Sequence, residues 1–264
     1  MKNGFTKFFD KEVLEITKLD HKGNNNLFKI KTSEGDYLLK EYSTIQKDNW
    51  NRGKSEFNAL SFLYERGFKV PKPVIYFEED NVGIYSFENG RILKPEEVNE
   101  EDVKELAVFL ARLHSLPVDE KNMFPKERTG CLSVLDYINL LKSRYSNLLN
   151  DFSGRENERI FLEKEILSKI EELEQETIKK YPNFKEELSI NEQVLTRGDV
   201  AFNNILVDDS AYPKKHRIID FEYFGRDDPA RPILDFLHHD KSKEISESLK
   251  HLFLEEYEKI NPSD

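Results

Sequence analysis

Short runs of apolar and polar residues follow one another along the first third of the chain in a pattern that is typical of a sheet. Residues 27–42 read LFKIKTSEGDYLLKEY, in which two alternating or apolar runs flank Ser-Glu-Gly-Asp, so they predict a β-hairpin. Residues 70–91 give two further short runs, entered through two prolines and followed by an Asn-Gly turn. This part of the chain is therefore predicted to form a small antiparallel sheet.

One helix interrupts these strand runs. Residues 51–66 carry Phe57, Leu60 and Leu63 at helical intervals, and Gly67 follows as a stop signal. Residues 1–88 are therefore predicted to form a lobe made of a small sheet and one helix.

Beyond residue 95 the apolar spacing becomes helical. Residues 98–117, 133–150 and 156–181 each show an apolar stripe, and many Glu and Lys residues accompany the third one. A stripe of this kind is also compatible with a coiled coil or a partner-binding face, but a helix that packs on its own domain is the commoner case. We therefore predict a larger, mainly helical lobe over residues 89–264.

Three short β-like runs interrupt this helical half. They are QVLTRGD, NNILVDD and KHRIIDFEY, within residues 193–223, and polar turns join them. Strands embedded in a helical region indicate a local hairpin that positions side chains. The whole pattern predicts an α+β fold with two lobes.

Composition and charge narrow the class of protein. Of the 264 residues, 38% are hydrophobic and 12% aromatic, and with their regular periodicity these contents exclude general disorder. Lys and Arg number 40 against 51 Asp and Glu, so the net charge is −11, which argues against a nucleic-acid or anionic-membrane partner. A cationic substrate would suit this field.

Several sequence features bear on the compartment. No apolar run approaches the ~18 residues that a membrane-spanning helix needs, and charges interrupt the N-terminal residues where a signal peptide would be apolar. Cys131 is the only cysteine and has no intrachain partner. These features predict a cytoplasmic protein. They leave its oligomeric state open.

The strand-rich stretch also holds candidate chemistry. Phosphoryl transfer needs metal ions on the phosphates, a carboxylate near the attacking hydroxyl and positive charge on the nucleotide. Asp199 and Asn204 are five residues apart, which lets one loop direct a carboxylate toward a hydroxyl while the amide reaches a metal. Asp220 ends an apolar strand, where its oxygens suit Mg²⁺. Each residue alone is a weak signal, because isolated Asp residues usually cap turns or helices.

Two charged residues of the first lobe complete the set. Lys40 ends the run DYLLK, and Glu56 lies on the following predicted helix. Such residues can form an ion pair that directs the ammonium group toward nucleotide phosphates. Two solvated surface charges are the alternative, and the order of these residues relative to Asp199 and Asp220 favours the ion pair.

Taken together, these motifs resemble the aminoglycoside phosphotransferase and choline kinase superfamily, which has a protein-kinase-like fold. The resemblance rests mainly on LTRGDVAFNNILVDD and RIIDFEYFGRDDPA, and GNNNLFKI, YLLK, SEFNALSFL, IYSFENGR and LARLHSLP extend it over about residues 19–237. The resemblance implies an ATP- or GTP-dependent transferase that phosphorylates a hydroxyl of a small molecule. The acceptor would be an amino sugar, an aminoglycoside-like compound, a choline-like alcohol or a sugar.

The resemblance also implies a role for each motif residue. Asp199 would be the catalytic base, Asn204 and Asp220 would bind Mg²⁺, Lys40 would contact the α- and β-phosphates, and Glu56 would orient it. Two further groups would bind the nucleotide: the loop residues Gly23 and Asn26 over the phosphates, and the lobe connection Ser86, Phe87 and Glu88 against the purine.

The chain departs from the family pattern at several positions. Arg197 replaces the usual His two residues before the catalytic Asp, so we expect altered packing near Asp220. VAFN replaces the usual LHPG, and Asp235 stands several residues beyond the expected position of a further Asp. Glu222 fits either a contact with metal or water or a charge on a surface turn. His238 and His239 lack a ligand cluster, which favours solvated or capping roles.

One other function remains open, and a third is disfavoured. A non-catalytic kinase-like module that binds a nucleotide or a partner is the alternative, motivated by Arg197 and by the VAFN loop. Protein phosphorylation is disfavoured because the segment between Asp220 and Asp228 is too short to dock a peptide.

Overall fold

The computed structural model describes residues 12–20, 23–43, 50–152, 154–242 and 244–262. The charged N-terminal segment, on which the expected absence of a signal peptide depends, lies outside these residues. Within the described part of the chain, no helix is both long and apolar enough to cross a membrane.

Five antiparallel strands form the sheet of the first lobe in the order β1-β2-β3-β5-β4. The hairpin predicted over residues 27–42 is present as β2 and β3, whereas the sequence pattern does not predict β1, because most of its side chains are exposed and show no alternation. The strands are β1 (Val13–Lys18), β2 (Asn26–Thr32), β3 (Gly35–Glu41), β4 (Pro73–Phe77) and β5 (Val82–Ser86).

Helix α1 (Arg52–Glu65) packs on this sheet and agrees closely with the predicted helix over residues 51–66. Its N-cap is Asn51, whose side chain accepts a hydrogen bond from the Lys54 N–H at 3.0 Å. The buried face of the helix carries Leu60 and Leu63, and it also carries Glu56. An acidic residue on a buried helix face requires a partner, which the site described below supplies.

The remaining helices belong to the second part of the chain. They are α2 (Glu100–His114), α3 (Val118–Lys121), α4 (Val134–Asp151), α5 (Glu156–Phe161), α6 (Leu167–Lys180), α7 (Ala230–His238) and α8 (Glu247–Glu258). Helices α2 and α8 pack along each other, and Leu106, Leu110 and Phe253 lie in the main hydrophobic core between the elements.

The third predicted helix, over residues 156–181, contains a short irregularity. A wider turn over Leu162–Ile166 separates α5 from α6. On its expected apolar stripe, Leu162 and Ile170 are buried, but half of Leu173 is exposed. The stripe therefore packs on its own domain only in part.

The strand runs of residues 193–223 do not form one hairpin. β7 (Val194–Thr196) pairs with β10 (Gly225–Asp227), while β8 (Ile205–Asp208) and β9 (Lys215–Ile218) pair with each other. β8 also pairs with β6 (Arg91–Ile92), just after the lobe connection. Two small sheets therefore hold the polar loops between these strands at the inner edge of the helical part. The predicted α+β fold with two lobes is confirmed.

Candidate active site

Lys40 and Glu56 meet between the sheet and α1. Lys40 lies near the end of β3, and its Nζ is 2.7 Å from Glu56 Oε2. Both side chains are buried, and the Tyr42 hydroxyl donates a second hydrogen bond to the same oxygen at 2.7 Å. The structure thus brings together the two residues that the sequence predicted to form an ion pair.

The ammonium of Lys40 also reaches across to the second lobe. Its Nζ is 3.2 Å from Asp220 Oδ1 and 2.8 Å from Glu222 Oε1. Burial alone would lower the pKa of Lys40, but the three carboxylates outweigh it and hold that pKa well above its usual value. Burial raises the pKa of Glu56, the nearby Asp220 and Glu222 carboxylates act in the same direction, and the Lys40 ammonium opposes them. Lys40 is therefore fully charged and electrostatically joins the two lobes.

Asp220 is held in an unusual backbone conformation. Its φ is +68°, the left-handed region that Asp tolerates better than most residues do. The flanking N–H groups are both bonded, that of Ile219 to the Asn204 carbonyl at 3.0 Å and that of Phe221 to Glu56 Oε1 at 3.3 Å. Burial raises the pKa of Asp220, but Lys40 and Arg197 overcome this effect and lower it. The carboxylate is therefore kept ionised at the cleft.

Asp199 stands in the loop after β7, and Asn204 lies in the short turn that follows. The Asn204 amide donates to Asp199 Oδ2 at 3.1 Å, and about half of the Asp199 side chain is exposed. Gly198 precedes it with a φ of +89°, and a Cβ there would lie 2.9 Å from Glu127 Oε1. A side chain at position 198 would therefore be strained by the backbone conformation and would require the Glu127 carboxylate to shift.

Arg197 is buried directly behind this loop. Its guanidinium lies 5.6 Å from the centroid of the Phe221 ring, and Nη1 donates to the Asn204 carbonyl at 3.4 Å. Nε and Nη2 find no hydrogen-bond partner among the described residues. Burial lowers the pKa of Arg197, an effect that Asp199 and Asp220 oppose. The altered packing expected near Asp220 therefore takes the form of a buried cation that compensates the acidic loops.

The predicted nucleotide loop contains a residue that the sequence analysis missed. Gly23 lies in the turn before β2, and Asn26 begins β2, where its amide donates to Glu41 Oε2 at 3.3 Å. The neighbouring Asn25 instead donates to Glu222 Oε1. In the run GNNN, composition does not show which Asn faces the cleft, because neighbouring strand side chains point in opposite directions.

The lobe connection contains the predicted purine-binding residues. Ser86 ends β5, and its hydroxyl donates to Glu88 Oε1 at 2.6 Å, while the Phe87 N–H donates to the Asp36 carbonyl at 3.2 Å. Glu88 also accepts from Arg217 Nε at 3.1 Å. Because Arg217 lies on β9, Glu88 ties the connection to the second part of the chain.

The cleft has the oxygen donors that a divalent cation requires. Glu56, Asp220 and Glu222 each offer a carboxylate oxygen within 4.8 Å of the others, and the Lys40 ammonium contacts all three carboxylates. The Asn204 carbonyl accepts from the Ile219 N–H, so the turn that carries Asn204 lies beside Asp220. Carboxylate and amide oxygens are ligands that Mg²⁺ favours, so the residues present fit this ion.

Glu222, whose role the sequence left open, and His239, for which it favoured a solvated or capping role, both lie at the site. Glu222 is buried and therefore is not a charge on a surface turn; Arg52 Nη1 approaches its Oε2 at 3.4 Å. His239 Nε2 lies 3.3 Å from Asp199 Oδ1. The paired histidines at the end of an apolar run are visible in the sequence, but their relation to Asp199 depends on long-range packing.

The structure has a two-lobed, kinase-like fold in which the Lys40–Glu56 pair faces the loops of Asp199 and Asp220. These features are typical of a class of phosphotransferases. The model of the phosphotransferase enzyme family matches residues 15–262, and the chain belongs to this family. The resemblance inferred from the sequence motifs is therefore confirmed.

Solved structures share this fold at low sequence identity. The ethanolamine kinase of Plasmodium vivax is 21% identical, with a TM-score of 0.64 over 97% of this chain and 73% of its own. An ADP-bound aminoglycoside phosphotransferase is 20% identical, with a TM-score of 0.64 over 96% and 80% of the two chains. A spectinomycin phosphotransferase in complex with ADP and spectinomycin is 15% identical, with a TM-score of 0.62 over 94% and 75%. A search of curated proteins finds no match.

Proposed function

We propose that this protein is a small-molecule kinase that transfers the γ-phosphate of ATP to a hydroxyl group. The observation that carries this proposal is the position of Lys40, whose ammonium contacts Glu56 of the first lobe and Asp220 of the second. Through these two contacts, the group that would bind the phosphates lies next to the carboxylate that would bind the metal. This is the arrangement that phosphoryl transfer requires.

In the proposed mechanism, the acceptor oxygen attacks the γ-phosphorus while the bond from this phosphorus to the β–γ bridging oxygen breaks, and ADP leaves. Asp199 accepts the hydroxyl proton, and the amide of Asn204 orients its carboxylate. Lys40, oriented by Glu56, holds the α- and β-phosphates. Asn204 and Asp220 would hold Mg²⁺, which when bound neutralises negative charge on the phosphates.

The nucleotide would bind between the first-lobe sheet and the lobe connection. Gly23 and Asn26 are proposed to border the phosphates, and Ser86, Phe87 and Glu88 the purine, with the boundary between lobes at residues 88 and 89. ADP in the related structures supports ATP as the donor, and GTP remains the other candidate.

The acceptor is proposed to be an amino sugar, an aminoglycoside-like compound, a choline-like alcohol or a sugar. The names of the related structures, which include ethanolamine kinase and spectinomycin phosphotransferase, support these classes. A cytoplasmic location is part of this proposal, and the single cysteine of the chain, Cys131, supports it.

Nucleotide binding is tested by thermal shift. We expect ATP with Mg²⁺ to raise the melting temperature of the wild type and to have a much smaller effect on D220N, since a ligand selective for the folded state stabilises it. D119N, which changes an exposed acid on α3, is the matched control and should respond like the wild type. GTP is tested in the same series. Absence of a shift with either nucleotide at millimolar concentration would contradict the proposal.

Catalysis is tested by ADP release with ethanolamine, choline, spectinomycin and an aminoglycoside as acceptors. D199N should keep its melting temperature and nucleotide shift yet lose at least about 100-fold in turnover, as loss of a general base does. D119N again serves as the control. Nucleotide binding without phosphorylation of any acceptor by the wild type would favour the alternative, a non-catalytic kinase-like binding module.

A further inference from the structure

The two carboxylate oxygens of Asp199 have different surroundings. Oδ2 accepts the hydrogen bond of the Asn204 amide at 3.1 Å. Oδ1 is buried and, among the described residues, receives no hydrogen bond of good geometry, although His239 Nε2 lies 3.3 Å from it. The exposed half of this side chain therefore does not include Oδ1, which leaves Oδ2 as the oxygen that a hydroxyl can approach.

Helix α7 holds the Asp199 loop at two points. Asp235, on α7, accepts a hydrogen bond from the Val200 N–H at 2.9 Å, so it fixes the backbone next to Asp199. His239 follows the last residue of α7, and its own N–H donates to the Asp235 carbonyl at 2.8 Å. One turn of chain thus anchors the backbone of this loop and brings an imidazole close to its carboxylate.

Two carboxylates, those of Asp199 and Asp235, lie near the imidazole of His239. Burial raises the pKa of Asp235, with the Asp199 carboxylate acting in the same direction, while the Val200 N–H and His239 act against it. A donor at position 239 therefore lies where two carboxylates repel each other. Its neighbour His238 is exposed on α7 and lies near Glu247.

We propose that His239 is a positioning residue for phosphoryl transfer: its Nε2–H holds Asp199 Oδ1, so that Oδ2 faces the acceptor hydroxyl. The 3.3 Å separation is long for a hydrogen bond, and catalytic hydrogen bonds of this kind tighten when the substrates are bound. With Asn204 on Oδ2 and His239 on Oδ1, the plane of the carboxylate is fixed by two side chains from different parts of the chain. This role rests on the proposed function of Asp199 as the base.

The first experiment needs no acceptor. The long-range ¹H–¹⁵N correlation spectrum of the 6 imidazoles is recorded for the wild type, D199N and D119N, and the His239 signal is assigned by its loss in H239Q. We expect the Nε2 shift of His239 to change in D199N and to stay unchanged in D119N. An Nε2 shift that is the same in D199N and the wild type would overturn the contact itself.

The second experiment measures kcat and KM for ADP release with whichever acceptor of the panel the wild type phosphorylates. We expect H239L to lower kcat about tenfold with the KM for ATP nearly unchanged, since a misplaced base slows the chemical step only. H239Q retains an N–H donor of similar reach and should recover at least about a third of the wild-type kcat. H238Q is the matched control and should equal the wild type.

The outcomes separate the positioning role from the proposed function. A wild type that phosphorylates no acceptor contradicts the proposed function, while the spectrum still decides the Asp199–His239 contact. An active wild type with equal kcat in H239L overturns the positioning role. Equal loss in H239L and H239Q, with melting temperatures lowered by more than about 5 °C, would show a packing role instead and would also overturn it.

Discussion

At the scale of single residues, Lys40 contacts three carboxylates of the site, which no local sequence pattern predicts. Its ammonium compensates Glu56 and Glu222, which are both buried, together with Asp220 at the edge of the cleft. A buried carboxylate that loses its cation retains its desolvation cost without any compensation. The same contact that would orient Lys40 for phosphates therefore also contributes to folding.

Replacing Lys40 tests this double role. We expect K40M to lower the free energy of unfolding by about 3 kcal/mol, because it leaves the buried Glu56 without a cation and Glu222 with Arg52 alone. K40R keeps the charge and should lose less than half as much. Urea denaturation at neutral pH measures both variants, and a K40M protein as stable as the wild type would contradict the proposed compensation.

At the scale of elements, the position of α1 depends on a close approach to the sheet. A Cβ on Gly53 would lie 2.7 Å from Tyr76 Cε2, 2.8 Å from Tyr42 Cδ2 and 2.5 Å from Asn81 Oδ1. Tyr42 is also the residue whose hydroxyl donates to Glu56. The spacing between helix and sheet is therefore linked to the geometry of the Lys40–Glu56 pair.

The variant G53A should separate packing from helix propensity. Alanine favours a helix over glycine by about 1 kcal/mol, but overpacking against several side chains costs up to about 3 kcal/mol. We expect a net loss of about 2 kcal/mol in the free energy of unfolding, together with weaker nucleotide binding. N58A, at an exposed position of α1, should be neutral or slightly stabilising in the same denaturation experiment. An equally stable or more stable G53A would show that α1 adjusts freely.

A second link between elements joins α2 to α8. His114 is buried, and its Nδ1 lies 2.7 Å from the Tyr257 hydroxyl. Burial, with a smaller effect of Lys121, lowers the pKa of His114 to about 3. Because the unfolded chain binds this proton at a higher pH, the contribution is fully present above about pH 6.5 and is lost as the pH falls.

This titration predicts a pH-dependent stability. Between pH 7 and pH 5, the His114 contribution should reduce the free energy of unfolding by about 2 kcal/mol, which is about 1.5 pKa units at 1.36 kcal/mol each. H114Q removes the titrating group, so its stability should fall by that much less over the same interval. Chemical denaturation at both pH values measures the difference. Identical falls in the two proteins would mean that His114 is not held neutral.

At the scale of the whole molecule, the lobes meet through a shared hydrophobic core and through polar contacts at the cleft, several of which involve Glu222. Lys40 and Arg52 pair with its carboxylate, and the indole N–H of Trp50 donates to its carbonyl at 2.7 Å. Trp50 precedes the N-cap of α1 and Arg52 is the first residue of this helix, while Glu222 lies two residues after Asp220. An adjustment of the lobes on binding a nucleotide would therefore change the surroundings of this contact.

Trp50 is the only tryptophan, so it reports on this contact directly. We expect Mg²⁺ and ADP together to change its fluorescence in a saturable manner, because nucleotide phosphates compete for Lys40 and alter the surroundings of Glu222. D220N should abolish the change at the same concentrations. A wild-type signal that is unaffected while the melting temperature rises would show that the nucleotide binds without disturbing the contact between lobes.

The sequence by itself determined the elements that depend on local patterns. The hairpin over residues 27–42 and the helix over residues 51–66 agree with β2, β3 and α1 to within a few residues. Side-chain alternation, helical spacing and an Asn cap act between near neighbours, so they are legible in one chain. The spacing and order of the charged motifs likewise indicate the family, because they are properties of the sequence itself.

Only the tertiary structure decided the contacts between distant segments. The strands of residues 193–223 divide between two sheets because their pairing depends on β6 and β10, which lie far from one another in sequence. The burial of Glu222 and the approach of His239 to Asp199 likewise arise where separate loops meet. Such contacts have no period or spacing in the sequence, because their geometry is fixed by long-range packing rather than by neighbouring residues.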